Sequence, residues 1–159
     1  MAKKKHSSIV MATYNGEKYL SEQLESFCKQ SVLPDELVVS DDNSKDATKE
    51  IILNFAKTAP FKVLFVENNH NSGVVKNFEN ALKHANGDII FFSDQDDYWL
   101  SNKIEKYMSV FEENKEIAYI FSDLKVADEN LNDLGKSLYS PKTAELAHNY
   151  EKTPLAAFK

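Results

Sequence analysis

At 159 residues, with 42% apolar and 11% aromatic side chains, the chain can bury a core of ordinary domain size, which excludes wholesale disorder. Its 19 basic residues are all Lys and are outnumbered by 25 acids for a net charge of −6, a balance that argues against nucleic acid as a partner. Cys28 stands alone, excluding an internal disulfide and a four-cysteine zinc site, and the longest apolar run, 117–121, falls short of the roughly 20 residues that a bilayer demands.

Residues 1–7 form a basic leader. Lys3, Lys4 and Lys5 are not followed by the apolar stretch of about 7–15 residues that a signal peptide needs, and they fall below the roughly 4–8 basic residues of a lipid-binding cluster. Short apolar runs then alternate with helical periods. The runs 9–12, 37–40, 63–66, 89–92 and 118–121 read as strands. Between them come Leu20, Leu24, Phe27 and Cys28; then Ala47, Ile51, Ile52 and Phe55; then Val74, Phe78, Ala81, Leu82 and Ala85. After the fourth run come Ile104, Tyr107, Met108 and Phe111, and each set has the spacing of a core-facing helix stripe. Gly87 sits where a C′ glycine closes the third helix. Strands of unbroken apolarity are what a parallel sheet covered on both faces requires, so the class is α/β, doubly wound, with right-handed crossovers. From about Lys125 the pattern loosens into Asn, Asp, Lys and Ser, punctuated by Pro141 and Pro154.

In such a sheet a ligand sits beyond the carboxyl ends of the strands. Those ends are polar: Thr13, Tyr14, Asn15 and Gly16; Asp41, Asp42, Asn43 and Ser44; Glu67, Asn68 and Asn69; Asp94, Gln95, Asp96 and Asp97. Clustered carboxylates repel unless a cation neutralises them, and one or two carboxylates with substrate phosphates are the usual Mg²⁺ shell, which suits Asp94 and Asp96. His6, His70, His84 and His148 are scattered, so zinc has no ligand cluster. Neither a dinucleotide fingerprint nor a P-loop is present, and any phosphate chemistry is therefore metal-bridged.

These pieces in this order resemble the family 2 glycosyltransferases of the nucleotide-sugar-binding GT-A fold. The resemblance runs from residue 8 to about 125. It rests on Ile9-Val10-Met11-Ala12-Thr13-Tyr14-Asn15, on Leu37-Val38-Val39-Ser40-Asp41-Asp42-Asn43-Ser44 with Asp46 and Thr48, on Asn71-Ser72-Gly73 with Asn77, and on Gly87-Asp88-Ile89-Ile90 leading into Asp94-Gln95-Asp96-Asp97-Tyr98-Trp99, with Lys103 after it. It implies a Rossmann-like domain over 8–159, with a mostly parallel sheet and helices on both faces. Thr13 and Asn15 are then expected to line the nucleotide pocket and Asp42 to contact a pyrimidine base. Asp94 and Asp96 would face the ribose and a diphosphate-bound Mn²⁺ or Mg²⁺, Asp96 as the direct ligand. Lys76 falls where many relatives have Arg and offers only a point charge. The bland alternatives are an Asx turn capping a helix for Asp42 and Ser44, a simple turn at Asn71 and Gly73, and a core role for Trp99.

The implied activity is inverting transfer of a hexosyl or rhamnosyl group from a UDP or dTDP sugar to a hydroxyl of a saccharide or lipid-linked acceptor, in bacterial surface polysaccharide synthesis. The implied location is the cytoplasm, with peripheral association at the inner face of the membrane. The general base is expected beyond Lys159, because Asp128, Glu129, Asp133, Glu145 and Glu151 lie in polar surroundings. The apolar run 155–158 ends abruptly, so a C-terminally truncated domain with an edge prone to form a homo-oligomer is expected. The competing class is a Mg²⁺-dependent phosphoacceptor receiver with Asp94 as acceptor; it leaves the strand and helix before Leu37 without a purpose.

Overall fold

The computed structural model describes residues 5–128 and 130–137. The chain divides into two compact units, Met1–Ser109 and Val110–Lys159. In the first, elements alternate in chain order: β1 (Ser7–Thr13), α1 (Leu20–Cys28), β2 (Glu36–Asp41), α2 (Thr48–Ala56), β3 (Lys62–Glu67), α3 (Val74–His84), β4 (Ile89–Ser93) and the start of α4 (Lys103–Glu113). The four strands form one sheet in the order β3-β2-β1-β4, parallel throughout. Every residue of β1 and of β2 is buried, which is why neither alternates apolar with polar side chains.

The register sorts the strand residues between two faces. Val10, Val38, Leu64 and Ile90 meet Phe78 and Ala81 of α3, and Ala85 just after it, on one face. Their neighbours point the other way, and there Phe91 packs on Trp99 and on Tyr107 of α4, while Trp99 packs edge-on against Phe27 of α1 at 4.9 Å. Right-handed crossovers account for this: the steps from β1 to β2 and from β2 to β3 run one way across the sheet, and the step from β3 to β4 runs back. Leu20, Leu24, Phe27, Ile52 and Ile104 are fully or almost fully buried, each stabilising the fold by about 1.5–3 kcal/mol. The expected α/β class with helices on both faces of a parallel sheet is the one observed, and Trp99, 3% exposed, takes its core role.

At the amino end of the sheet, Ser8 Oγ and the Asn86 N–H both donate to Glu36 Oε1, at 2.7 and 2.6 Å. Gly87 is not the helix-closing glycine expected from its position. Helix α3 ends at His84 with Ala85 as its cap, and Gly87 does not have a positive φ. It lacks a side chain because β1 passes too close: a Cβ there would meet Ser8 N at 2.6 Å.

In the second unit the expected strand over 118–121 is not formed among the described residues: these positions take no regular element, since a short apolar run alone does not set strand geometry. The stretch assigned no element instead contains an antiparallel hairpin, β5 (Lys125–Ala127) and β6 (Asp133–Ser137). Asp128 closes its turn by accepting from the N–H groups of Asn130 and Asn132, and Asp133 pairs with Lys125 at 2.7 Å. The acids Glu129, Glu145 and Glu151, and the run 155–158, lie outside the described residues.

Two stability outcomes follow. Gly87→Ala should lower the unfolding free energy by about 1–3 kcal/mol in urea, since the obstacle is backbone and cannot swing aside. Burial pushes the Glu36 carboxyl up, but the hydrogen bonds from Asn86 and Ser8 and the charge of Lys62 outweigh it and hold the group below the usual glutamate range. A carboxylate depressed in the fold stabilises above its unfolded pKa, about 4.3, and loses that contribution as pH falls through the folded value. The stability gap between the parent and Glu36→Gln should therefore be widest near neutrality and narrow below about pH 4.

Candidate functional site

The chain leaves β1 toward β2 and β3 and returns to β4 on the opposite side, so the order reverses between β1 and β4. A crevice opens at the carboxyl ends of strands at such a reversal. Here it is a cleft of about 310 Å³. Ala12, Thr13 and Tyr14 line it from the end of β1, and Asp94, Gln95 and Asp96 from the end of β4. Asp42 closes it from β2, with Asn71, Gly73, Val74 and Asn77 from α3 and its lead-in.

Asp42 is 2% exposed, and its two oxygens accept from Ser72 N–H at 2.8 and 2.9 Å, from Gly73 N–H at 2.8 Å and from Asn68 Nδ2 at 3.0 Å. Burial raises its pKa, and these donors outweigh burial, so the carboxyl lies below the usual aspartate range and is ionised at neutral pH. The donors also set the lead-in to α3, where Gly73 at φ 86° is the N-cap. A chain of carboxamides backs this wall. Asn80 donates to Asn68, Asn68 donates to Asn77 as well as to Asp42, and Asn77 donates to the Thr13 carbonyl. Asn80 was not among the sequence candidates, and Asn68 was only a polar strand end; their signal is an i, i+3 pair of Asn on α3 beside an Asn that follows β3.

The other expected residues divide between the cleft and its frame. Thr13 is in the cleft, its hydroxyl donating to Asp41 at 2.8 Å. Asn15 is not among the lining residues; at φ 48° it ties its loop to the next, its N–H donating to Ser44 Oγ and its Oδ1 accepting from Lys45 N–H. Asp42 does not form the Asx turn considered for it: Ser44 N–H and Ser44 Oγ both donate instead to Asp41, three residues earlier, and the Asx turn before α2 is made by Asp46, which accepts from Thr48 N–H. Lys76 is exposed on the first turn of α3 and does not line the cleft. Asn71 lines it and also accepts from Gly73 N–H, so a turn and a wall coincide.

Asp94 and Asp96 are exposed. Burial raises the Asp94 carboxyl above the usual range, and the charges of Asp97 and Asp96 raise it further. Asp97 is raised by its burial against the pull of Lys103. Lys103, lowered by desolvation, holds its ammonium 4.1 Å from the centre of the Trp99 ring. No three His, Cys, Asp or Glu side chains converge as a metal cage among the described residues. Two oxygen-donor carboxylates that repel one another nevertheless fit a hard divalent cation whose remaining positions go to phosphate and water.

Asp42→Asn tests the donor wall. An amide turns an NH₂ toward N–H groups that now meet an anion, so stability in urea should fall by about 1.5–3 kcal/mol and the Ser72 and Gly73 amides should exchange faster.

The sequence model of the family described as "Glycosyl transferase family 2" matches residues 8–157. Among curated proteins, the chain is 32% identical over 123 residues to the Escherichia coli UDP-Glc:alpha-D-GlcNAc-diphosphoundecaprenol beta-1,3-glucosyltransferase WfgD, covering 77% of this chain and 47% of that protein. It is 30% identical over 122 residues to the putative glycosyltransferase EpsE of Bacillus subtilis, covering 77% and 44%. The chain thus spans about half the length of the curated relatives that it matches. Among solved structures, S. aureus TarS 1-349 in complex with UDP-GlcNAc superposes with a TM-score of 0.63 and 33% identity, over 68% of this chain and 31% of that one. The mannosyltransferase PcManGT from Pyrobaculum calidifontis, in complex with GDP-Man and Mn²⁺, gives 0.56 and 28%, over 62% and 29%. These matches do not favour the phosphoacceptor receiver. With a four-stranded parallel sheet flanked by helices, a cleft at its reversal point and a family match over residues 8–157, the chain belongs to glycosyl transferase family 2 and has the GT-A fold.

Proposed function

We propose that this chain forms the donor side of an inverting glycosyltransferase that moves a hexosyl group from a UDP or dTDP sugar to an acceptor hydroxyl in the synthesis of bacterial surface polysaccharide. The observation that carries the reading is the pairing, in one cleft, of a buried and hydrogen-bonded carboxylate, Asp42, with the exposed and mutually repelling pair Asp94 and Asp96. The first is built to stay ionised without a cation and suits the N–H of a pyrimidine. The second suits a charge that arrives with the substrate.

In this reading Thr13 and Asp42 hold the nucleoside, and the loop that Asn15 ties to Ser44 and Lys45 keeps that end of the cleft rigid. Asp94 faces the ribose, and Asp96 with Asp94 would hold Mn²⁺ or Mg²⁺ against the diphosphate. Lys76 supplies at most a point charge. A cation bound there supplies Lewis-acid stabilisation of the departing diphosphate. Direct displacement with inversion also needs a base to take the acceptor's proton, and this reading puts that base outside the described residues. Asp128 and Asp133 are committed to the hairpin.

The names of the relatives support the finer points. WfgD is named for a UDP-glucose donor and an acceptor on diphosphoundecaprenol, TarS is solved with UDP-GlcNAc, and PcManGT with Mn²⁺. In this reading the acceptor is lipid-linked and is met at the inner face of the membrane. Among the described residues no helix is long and apolar enough to cross a membrane, so the association proposed is peripheral.

Calorimetric titration of UDP, dTDP and GDP, with Mn²⁺ or Mg²⁺ and after chelation, tests this reading. UDP or dTDP should bind in the presence of metal, and chelation should weaken binding at least about tenfold, or about 1.4 kcal/mol. Asp96→Asn should lose most of that metal-dependent gain with its thermal midpoint retained, since an exposed loop carboxylate adds little to the core. Equal affinity after chelation would overturn the metal assignment, and preference for GDP would overturn the pyrimidine assignment.

A further inference from the structure

Gln95 lies between the two candidate ligands, and its side chain reaches across the point where the strand order reverses. Its Oε1 accepts from Tyr14 N–H at 2.9 Å and its Nε2 donates to the Tyr14 carbonyl at 3.2 Å, so one carboxamide pairs in both directions with one backbone residue. The Tyr14 loop is a firm anchor. Asn15 N–H donates to Ser44 Oγ, Gly16 N–H to Thr48 Oγ1 at 2.7 Å and Glu17 N–H to Asp46, while Asn15 Oδ1 accepts from Lys45 N–H. The carboxamide also lies against Gly16, where an added Cβ would meet Gln95 Oε1 at 2.4 Å.

The other end of the acidic turn is tied from beneath. Gln23 of α1, fully buried, donates to Ser93 Oγ at 2.8 Å, and Ser93 Oγ donates to the Asp94 carbonyl at 2.9 Å. The turn carrying Asp94 and Asp96 is therefore fixed at its start by Ser93 and at its middle by Gln95. A carboxylate pair that repels would otherwise splay.

We propose that Gln95 is a positioning residue: its two-way pairing with Tyr14 fixes the aim of Asp94 and Asp96 toward a diphosphate-bound cation, and Gly16 is glycine so that the carboxamide can lie there. This rests on the assignment of Asp94 and Asp96 as the metal-binding pair. Neither Gln95 nor Gly16 touches the cation in this scheme. Side chains that orient ligands in this way typically change metal affinity about 10–100-fold when removed.

The test uses Gln95→Met, which keeps the volume and removes both hydrogen bonds, with UDP and Mn²⁺ as probes. The gain in UDP affinity on adding Mn²⁺, taken as the ratio of affinities with metal and after chelation so that any direct contact of residue 95 with UDP cancels, should fall about tenfold or more. In the metal-free chain, hydrogen exchange at the Tyr14 amide should accelerate, a readout independent of any bound metal. Gly16→Ala should give the same loss by expelling the carboxamide, and the double variant Gly16→Ala with Gln95→Ala should be no worse than Gln95→Ala alone, because both act through one contact. Should Gln95→Met fail to fold, Gln95→Asn, one methylene too short to span, replaces it. A metal-dependent parent with a Gln95→Met that binds Mn²⁺ and UDP equally well overturns this proposal alone, as do additive losses in the double variant. A parent indifferent to Mn²⁺ overturns the metal-pair assignment, and the role of Gln95 with it.

Discussion

Asp42 sits at the end of a strand that is buried along its whole length, where water cannot stabilise a charge. A carboxylate in that position must be neutralised or surrounded by donors, and this one is surrounded. Its donors come from a distant stretch, Asn68 to Gly73, so satisfying one side chain dictates the path of the chain between β3 and α3. Once Gly73 is held there α3 begins where it does, Asn77 reaches the Thr13 carbonyl, and the far wall of the cleft is set. Removing the charge would therefore disturb a helix start, two strand ends and the shape of the cleft together.

The opposite wall is governed by the reverse condition. Asp94 and Asp97 are partly desolvated and crowded by like charge, and both carboxyls are raised, whereas Asp42 is lowered. Asp42 and Asp94, with opposed shifts, line one cleft, the first supplied with protein donors and the second crowded by like charge. A nucleoside diphosphate with its metal has the same division, a neutral base at one end and charge at the other. Lys103 does not relieve the acidic side in full, since its own ammonium is lowered by desolvation and lies over Trp99.

Much of this was legible in the residues. The runs at 9–12, 37–40, 63–66 and 89–92 announced parallel strands because three or four consecutive apolar side chains in each suit a sheet covered on both faces, a condition that β1 and β2 meet along their whole length. The acidic ends were legible because charge is conspicuous. Gly87 was misread because a glycine that closes a helix and one that makes room for a neighbouring backbone look identical without the neighbour. The run 118–121 looked like a strand because apolarity over a few residues does not separate a strand from an irregular segment, and the hairpin at 125–137 was passed over because its bulged strands alternate poorly. Asn68, Asn77 and Asn80 form their relay through contacts that join the end of β3 to α3, and a carboxamide read in sequence does not say which distant group it meets.

The polar cluster at the amino end of the sheet, Ser8, Glu36, Asn86 and Gly87, lies at the opposite end of β1 and β2 from the cleft. At about 3.3 Å per residue, the five steps of β1 from Ser8 to Thr13 put roughly 16 Å between them. Sites so far apart with no shared partners combine their effects additively. The rear can thus be firmed or loosened apart from the mouth, but the mouth has no matching freedom: Asp42 shapes the cleft and holds the start of α3 at once, so a change there moves stability and cleft shape together.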